Sequence, residues 1–276
     1  MDIATYLIEG RGRHADSLGN RETFESPGLQ WCSVGSGIEH AEAGGTPAGV
    51  NTTGFQARPI ARCETRSYRP FLRPVPSLQI WINVPSARKM DEPRYGTVQP
   101  HELPTLSYPG GVTARLVSGE ERGQTGPFRT VQPLLMLDVS LPAGAAWEAP
   151  VAPHLDNVMA FVYRGAAEVN GAAASQHAIA LLDARGRSGA RGVRVSTAAG
   201  GAGASVMIFA GKRLNQPVAW RGPFVMTTDA ELRDTIREYQ SGDFPPVRVP
   251  WDYRRLDAFP PDHPARKAIQ PEGLRS

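Results

Sequence analysis

No apolar run in this sequence is long, and glycine and proline stand between one run and the next along most of its length. Ile3 to Ile8 ends at Glu9-Gly10, Pro27-Gly28 precedes Leu29 to Val34, and Gly35-Ser36-Gly37 turns into Ile38 to Glu42. Strands of about four to eight residues fit between such breaks, whereas a helix wants about ten or more residues without one. The chain is therefore expected to be all-β, with helix scarce. Its 276 residues, 41% of them hydrophobic, suffice for one large or two medium domains at roughly 100–200 residues each. Nothing approaches the roughly 18–20 consecutive apolar residues of a spanning helix, so no membrane segment is expected.

The two halves follow one plan. Asn157 to Tyr163 leads into Arg164-Gly165 much as Ile3 to Ile8 leads into Glu9-Gly10, and Val131–Leu141, Ala178–Leu182, Gly192–Ser196 and Ser205–Ala210 are further runs of strand length. Two similar strand sets spaced about half a chain apart predict two β-barrel or sandwich units in tandem. Arg11 to Asn20, rich in Gly, Asp and Ser, reads as a polar hairpin tip. One helix stands out: Thr228 and Glu231 form a capping box, Leu232, Ile236 and Tyr239 make an i, i+4, i+7 stripe, and Gly242 is suited to the position just past the end. Beyond it the prolines from Pro245 to Pro264 predict an irregular tail over residues 244–276.

Charge and cysteine content narrow the setting. Residues 57–77 hold Arg58, Arg62, Arg66, Arg69 and Arg73 against Glu64, a local balance of +4 in a chain of net charge +3, which leaves the remainder at −1. That is a basic segment and not a basic domain, so nucleic acid is not the expected partner. Cys32 and Cys63 are too few for a disulfide framework or a cysteine-based zinc site. The first ten residues lack the basic and long apolar regions of a secretion signal. A cytoplasmic or nuclear location and a monomeric state are expected.

His40 and Glu42 are the residues that could carry chemistry. Two apart on a strand, their side chains leave the same face, where an imidazole and a carboxylate can hold one metal ion; such N/O ligation with open positions suits Fe(II), Mn(II) or Ni(II). Spacing alone also fits a polar strand face with a satisfied histidine. His14, Asp16 and Ser17 have the residue types of a catalytic triad, but neighbours on a hairpin tip cannot easily stack nucleophile, base and orienter, and they are expected to be solvated. His101-Glu102 and His154-x-Asp156, flanked by proline, read as loop groups. No phosphate-binding glycine loop and no His-Glu-x-x-His is present.

Longer motifs carry a resemblance. Thr5-Tyr-Leu-Ile-Glu-Gly10, His14-Ala-Asp-Ser-Leu-Gly-Asn20, Gln30-Trp31, Gly35-Ser-Gly-Ile-Glu-His40-Ala-Glu42, Ile80-Trp-Ile-Asn-Val-Pro85 and Pro93-Arg-Tyr95 resemble the N-terminal domain of the pirin family in the cupin superfamily. Phe209-Ala-Gly211, Pro217-Val218 and Gly222-Pro-Phe-Val-Met-Thr-Thr228 resemble its C-terminal domain. The resemblance implies a bicupin, two tandem cupin β-barrels with one C-terminal helix, expected over residues 1–118 and 119–243. It also implies one metal, usually iron, in the N-terminal barrel. Pirins are related to quercetin 2,3-dioxygenases, some cleave flavonols oxidatively, and animal members act as nuclear co-regulators of transcription. The implied function is an Fe(II)-dependent dioxygenase with a flavonol-like substrate, Glu42 serving as ligand and base; the alternative is a non-catalytic regulator that contacts a protein partner.

Two departures from the family pattern matter. The family holds its metal with a His-x-His pair on one strand and a His-x-Glu pair on a later one. His40 and Glu42 match the second pair, whereas the first would fall before Met1 and no other histidine matches it, so Fe(II) is expected to bind weakly or not at all. Residues 57–79 are an addition relative to the family, expected to loop out between Gly54-Phe-Gln56 and Ile80-Trp-Ile-Asn83. Both departures are read as marks of an imperfect gene model, a start placed too late and a retained in-frame intron, with a genuine lineage-specific loop as the alternative for the second.

Overall fold

A computed structural model describes residues 1–45, 55–56, 76–182 and 192–249. The chain is all-β with one α-helix among the described residues, and it packs as two compact units, Met1–Pro100 with Gln216–Ser276, and His101–Asn215.

The first unit contains β1 (Asp2–Leu7), β2 (Arg11–Asp16), β3 (Arg21–Glu25), β4 (Gly28–Ser33), β5 (His40–Gly45), β6 (Phe55–Gln56), β7 (Ser77–Ile82) and β8 (Arg94–Val98). They form two antiparallel sheets, in the orders β7-β1-β4-β8 and β3-β2-β5-β6. β1 is central and buried along its whole length, so even its polar Asp2 and Thr5 face protein. Thr5 reaches from the first sheet to Glu42 on the second, which makes the space between the sheets a barrel interior with polar contents.

Three sequence expectations are corrected here. Arg11–Asp16 is a strand and not part of a hairpin tip; His14, Asp16 and Ser17 are fully buried, because the turn is confined to Ser17–Asn20 and Asp16 accepts the N–H groups of Leu18 and Asn20 to close it. Ser77–Gln79 do not loop out, since they pair with Leu7–Thr5 of β1. Nor does Phe55-Gln56 run on toward Ile80, because β6 pairs with β5 in the other sheet. Residues 57–75, with the five arginines, lie outside the described residues.

The second unit contains β9 (Thr105–Ser107), β10 (Thr113–Ser118), β11 (Glu120–Glu121), β12 (Gln124–Thr125), β13 (Leu134–Leu141), β14 (Ala146–Pro150), β15 (Asn157–Gly165), β16 (Ala167–Val169), β17 (Ala172–Ala174), β18 (Ile179–Leu182), β19 (Gly192–Ser196) and β20 (Ala204–Gly211). Its large sheet runs β18-β15-β20-β13-β10-β9 and its small one β14-β19-β16-β17. Strict alternation along β14 and β15 turns one face of each inward, and Leu116, Leu137, Val162, Trp147 and Val195 from both sheets meet in one apolar core. The sequence-drawn border at 118 differs from this packing: β10 lies before it and pairs with β13 beyond it.

Hairpin strands β21 (Ala219–Arg221) and β22 (Phe224–Met226) and helix α1 (Asp229–Ser241) pack with the first unit. The capping box is formed as expected. Glu231 N–H donates to Thr228 Oγ1 at 3.2 Å and Thr228 N–H donates to Glu231 Oε2 at 2.8 Å, while Gly242 closes the helix at φ +89°. Leu232 is buried, and Tyr239 packs on Phe224 and Phe244. Residues 244–249 have no regular structure, and Val249 covers Ala15, Ala41 and Ala43 on the outer side of β2 and β5. Among the described residues no helix is long and apolar enough to cross a membrane.

Thr228→Ala should destabilise the protein by about 1 kcal/mol, because it removes one half of the capping box. A urea titration checks this: the midpoint should fall with the slope unchanged, and an unchanged midpoint would contradict a stabilising cap.

Candidate metal centre

The register of β2 against β5 places His14 opposite Glu42, Ala15 opposite Ala41 and Asp16 opposite His40. Directly opposite residues of an antiparallel pair share a face. Four ionisable side chains therefore project together into the barrel, while the two alanines point the other way, under Val249. His14 and Asp16 are sealed from solvent, and the side chains of His40 and Glu42 keep 12% and 11% of their surface.

Each group has defined partners. His14 Nε2 donates to Asp16 Oδ2 at 2.9 Å. Asp16 also accepts from Leu18 N and Asn20 N at Oδ1 and from Asn20 Nδ2 at Oδ2. Thr5 Oγ1 donates to Glu42 Oε2 at 3.1 Å and to its Oε1 at 3.2 Å, Gln79 Nε2 donates to Oε2 at 3.1 Å, and Trp81 Nε1 holds Gln79 from behind at 3.1 Å. Tyr95 stacks on His14, ring centroids 4.4 Å apart. Nδ1 of His14, Nδ1 of His40 and the Tyr95 hydroxyl are buried without a hydrogen-bond partner, and the two imidazole nitrogens lie 3.8 and 3.6 Å from Glu42 Oε1.

Burial opposes charge on all of these groups, yet it does not win everywhere. Burial alone would push the His14 pKa down, but the hydrogen bond and charge of Asp16 and the charge of Glu42 outweigh it and hold it above the ordinary 6.5. For His40 burial prevails over Glu42, so its pKa falls and the ring is neutral. The Glu42 carboxyl, which burial would raise, is held below its ordinary value by the two histidines and Thr5. Burial, together with Asp16 and Glu42, pushes the Cys32 thiol well up.

The sequence-predicted pair, His40 and Glu42, is thus brought together on one face. His14, expected in a solvated turn, lies buried on the same face, directly opposite Glu42. One donor atom each from His14, Cys32 and His40 lies within 4.8 Å of the others. Orphaned imidazole nitrogens beside an ionised carboxylate are what a divalent cation would satisfy, so the residues fit the metal that the resemblance implies. A pocket adjoins the cluster, lined by His40, Cys32, Ile3, Val34 and Ile38 and by the aromatic rings of Trp81, Phe224, Tyr239 and Phe244.

The His14 shift has a measurable sign. A group whose folded pKa is raised stabilises the fold fully below its unfolded value, near 6.5, and this contribution is lost as pH rises through the folded value. In chelator-treated protein the stability difference between wild type and His14→Gln should therefore be largest at about pH 5.5–6 and shrink toward pH 9. Denaturant titrations across that range check it, and a difference independent of pH would contradict the raised pKa.

Comparison with known proteins agrees with this architecture. Residues 1–57 match the family model described as Pirin, and residues 136–245 match the Pirin C-terminal cupin domain. A pirin-like protein of Caulobacter vibrioides is 32% identical over 246 residues, 88% of this chain and 77% of the relative. A candidate quercetin 2,3-dioxygenase of Pseudomonas aeruginosa is 30% identical over 247 residues, 88% of this chain and 76% of the relative. The crystal structure of a quercetin 2,3-dioxygenase from Acinetobacter baumannii shares the fold with a TM-score of 0.71, at 24% identity, over 88% of this chain and 76% of that one. A bacterial pirin from Escherichia coli in complex with nickel(II) shares it with a TM-score of 0.51, at 21% identity, over 76% of this chain and 72% of that one. The matched domains, in order along the chain, and the relatives that span most of it establish that this protein belongs to the pirin family.

Proposed function

We propose that this protein is a metal-dependent dioxygenase of the quercetin 2,3-dioxygenase type, acting on a flat, flavonol-like substrate with Fe(II) held by His40 and Glu42. One observation carries the reading: His40, the member of the polar cluster that carries one of the orphaned imidazole nitrogens, lines a pocket walled by aromatic rings. Pockets that are mostly apolar with a few convergent polar groups are the usual form of small-molecule sites. The resemblance to relatives named for quercetin dioxygenation supports the substrate class.

A bound Fe(II) would supply the redox chemistry toward dioxygen and polarise the substrate's oxygens. The remaining work falls to the chain. Trp81, Phe224, Tyr239 and Phe244 would stack against the substrate's rings and exclude water. Neutral His40 offers a nitrogen lone pair. Glu42 is ionised, with Oε2 accepting from Thr5 and Gln79 and Oε1 accepting from Thr5, and in this reading it would serve as a ligand and as the base that takes the proton of a flavonol hydroxyl. Gln79, itself held by Trp81, supports Glu42 through a hydrogen bond to its Oε2.

Iron content, quercetin loss and dioxygen consumption measured on one preparation test the reading. Turnover is expected with Fe(II), falling at least ~100-fold in His40→Ala and in Glu42→Gln. Tyr239→Ala should raise KM by up to ~10-fold and leave kcat nearly unchanged. Stoichiometric iron without turnover would overturn the enzymatic reading in favour of a regulatory binding protein.

A further inference from the structure

We propose that His14 is a metal ligand in this chain, forming with His40 and Glu42 a two-histidine, one-carboxylate set, and that Asp16 is the positioning residue that aims the His14 ring. The inference rests on the metal-centre reading above and adds to it a ligand that spacing along the sequence does not suggest.

The ring of His14 is oriented from both sides. Its Nε2–H donates to Asp16 Oδ2 at 2.9 Å, which fixes a proton on that nitrogen, so that in the neutral ring Nδ1 carries the free lone pair. Asp16 cannot easily swing away, because three further N–H donors from Leu18 and Asn20 hold its two oxygens. A carboxylate behind a histidine whose other nitrogen faces a site is the usual second layer of a metal centre. Tyr95, stacked at 4.4 Å, closes the ring's flank.

Nδ1 of His14 points to the same oxygen as Nδ1 of His40. The separations from Glu42 Oε1, 3.8 and 3.6 Å, are too long for hydrogen bonds. They are close to the roughly 3–3.5 Å between neighbouring ligand atoms around a cation bound at about 2.1 Å. Were His14 an imidazolium paired with both carboxylates, its second N–H would stop short of Glu42 and the buried His40 Nδ1 would still have no partner. A single divalent cation between them would give each of these atoms a partner and would offset the two buried carboxylates, Asp16 and Glu42.

Cys32 is the competing donor. With His14 and His40, and without Glu42, it makes the set whose donor atoms lie within 4.8 Å of one another; it is 1% exposed and accepts a hydrogen bond from Gln30 Nε2 at 3.1 Å. We assign the third position to Glu42 because its Oε1 is the atom that both orphaned nitrogens face.

The test uses the full chain after dialysis against chelator. Ni(II) titration by calorimetry should find one tight site in the wild type, with affinity lost at least ~100-fold in His14→Ala and in His40→Ala, and ~10–100-fold in Asp16→Asn. In the Cu(II) form, spin-echo modulation counts coordinated imidazoles; two are expected in the wild type and one in either histidine variant, a signature that a merely structural His14 would not change. If His14→Ala does not fold, His14→Gln, whose amide still offers Asp16 a donor, replaces it. Wild-type affinity and two imidazoles in the His14 variants would overturn the assignment of His14, while loss in His40→Ala would leave the proposed function standing. A thiolate charge-transfer band in the Co(II) form, abolished by Cys32→Ser, would overturn Glu42 as the third donor. Absence of tight Ni(II) binding in the wild type would overturn both this proposal and the metal-dependent function.

Discussion

The pairing of β2 with β5 sets Ala15 opposite Ala41, and the site depends on that alignment. A slip of one residue would turn His14 and Asp16 outward beneath Val249 and bring small alanine side chains into the interior. In the observed register four ionisable groups are buried together, an arrangement that persists only where each is paired or hydrogen-bonded. Its supports come from several places along the chain: Thr5 from β1, Gln79 from β7, and the turn at Leu18–Asn20. The Nδ1 atoms of His14 and His40 are the exceptions, and they face one carboxylate oxygen.

The two units use a similar architecture for different ends. In the second, side chains from both sheets interdigitate in an apolar core that includes Leu137, Val162 and Trp147, with the packing of an ordinary interior. In the first, part of the interior is occupied by His14, Asp16, His40 and Glu42, and stability is exchanged for a cluster poised for chemistry. The C-terminal hairpin and α1 fold with the first unit, which is how Phe224 and Tyr239, distant in sequence from His40, come to line the same pocket. The capping box at Thr228 therefore serves the pocket as well as the helix.

What was legible in the sequence was local. The all-β class follows from short runs between glycines and prolines, the helix from Thr228, Glu231 and Gly242, and the shared face of His40 and Glu42 from a spacing of two. His14 was obscured by the residues around it. Gly12, Asp16, Ser17 and Gly19 look like turn chemistry, yet Gly12 lies within a strand and is glycine because a Cβ there would come 2.4 Å from the ring of Phe24. The repeated His-Ala-Asp and His-Ala-Glu at 14–16 and 40–42 was the available signal: two identical alternations that only mean something once the strands are known to be neighbours. The division into units could not be read either, since the return of residues beyond 215 to the first unit is a long-range contact without local pattern. Gln79 was missed for the same reason: a glutamine before Ile80 gains its role only through the register of β7 on β1.

The most direct test of the metal centre is anomalous diffraction at the nickel edge from a crystal of the full chain soaked in Ni(II). A single peak is expected between β2 and β5, about 2.0–2.2 Å from His14 Nδ1, His40 Nδ1 and Glu42 Oε1, with Asp16 still bound to the far side of the His14 ring. A cluster that carries no peak, or a peak that contacts His40 while His14 stands clear of it, would contradict the three-ligand centre.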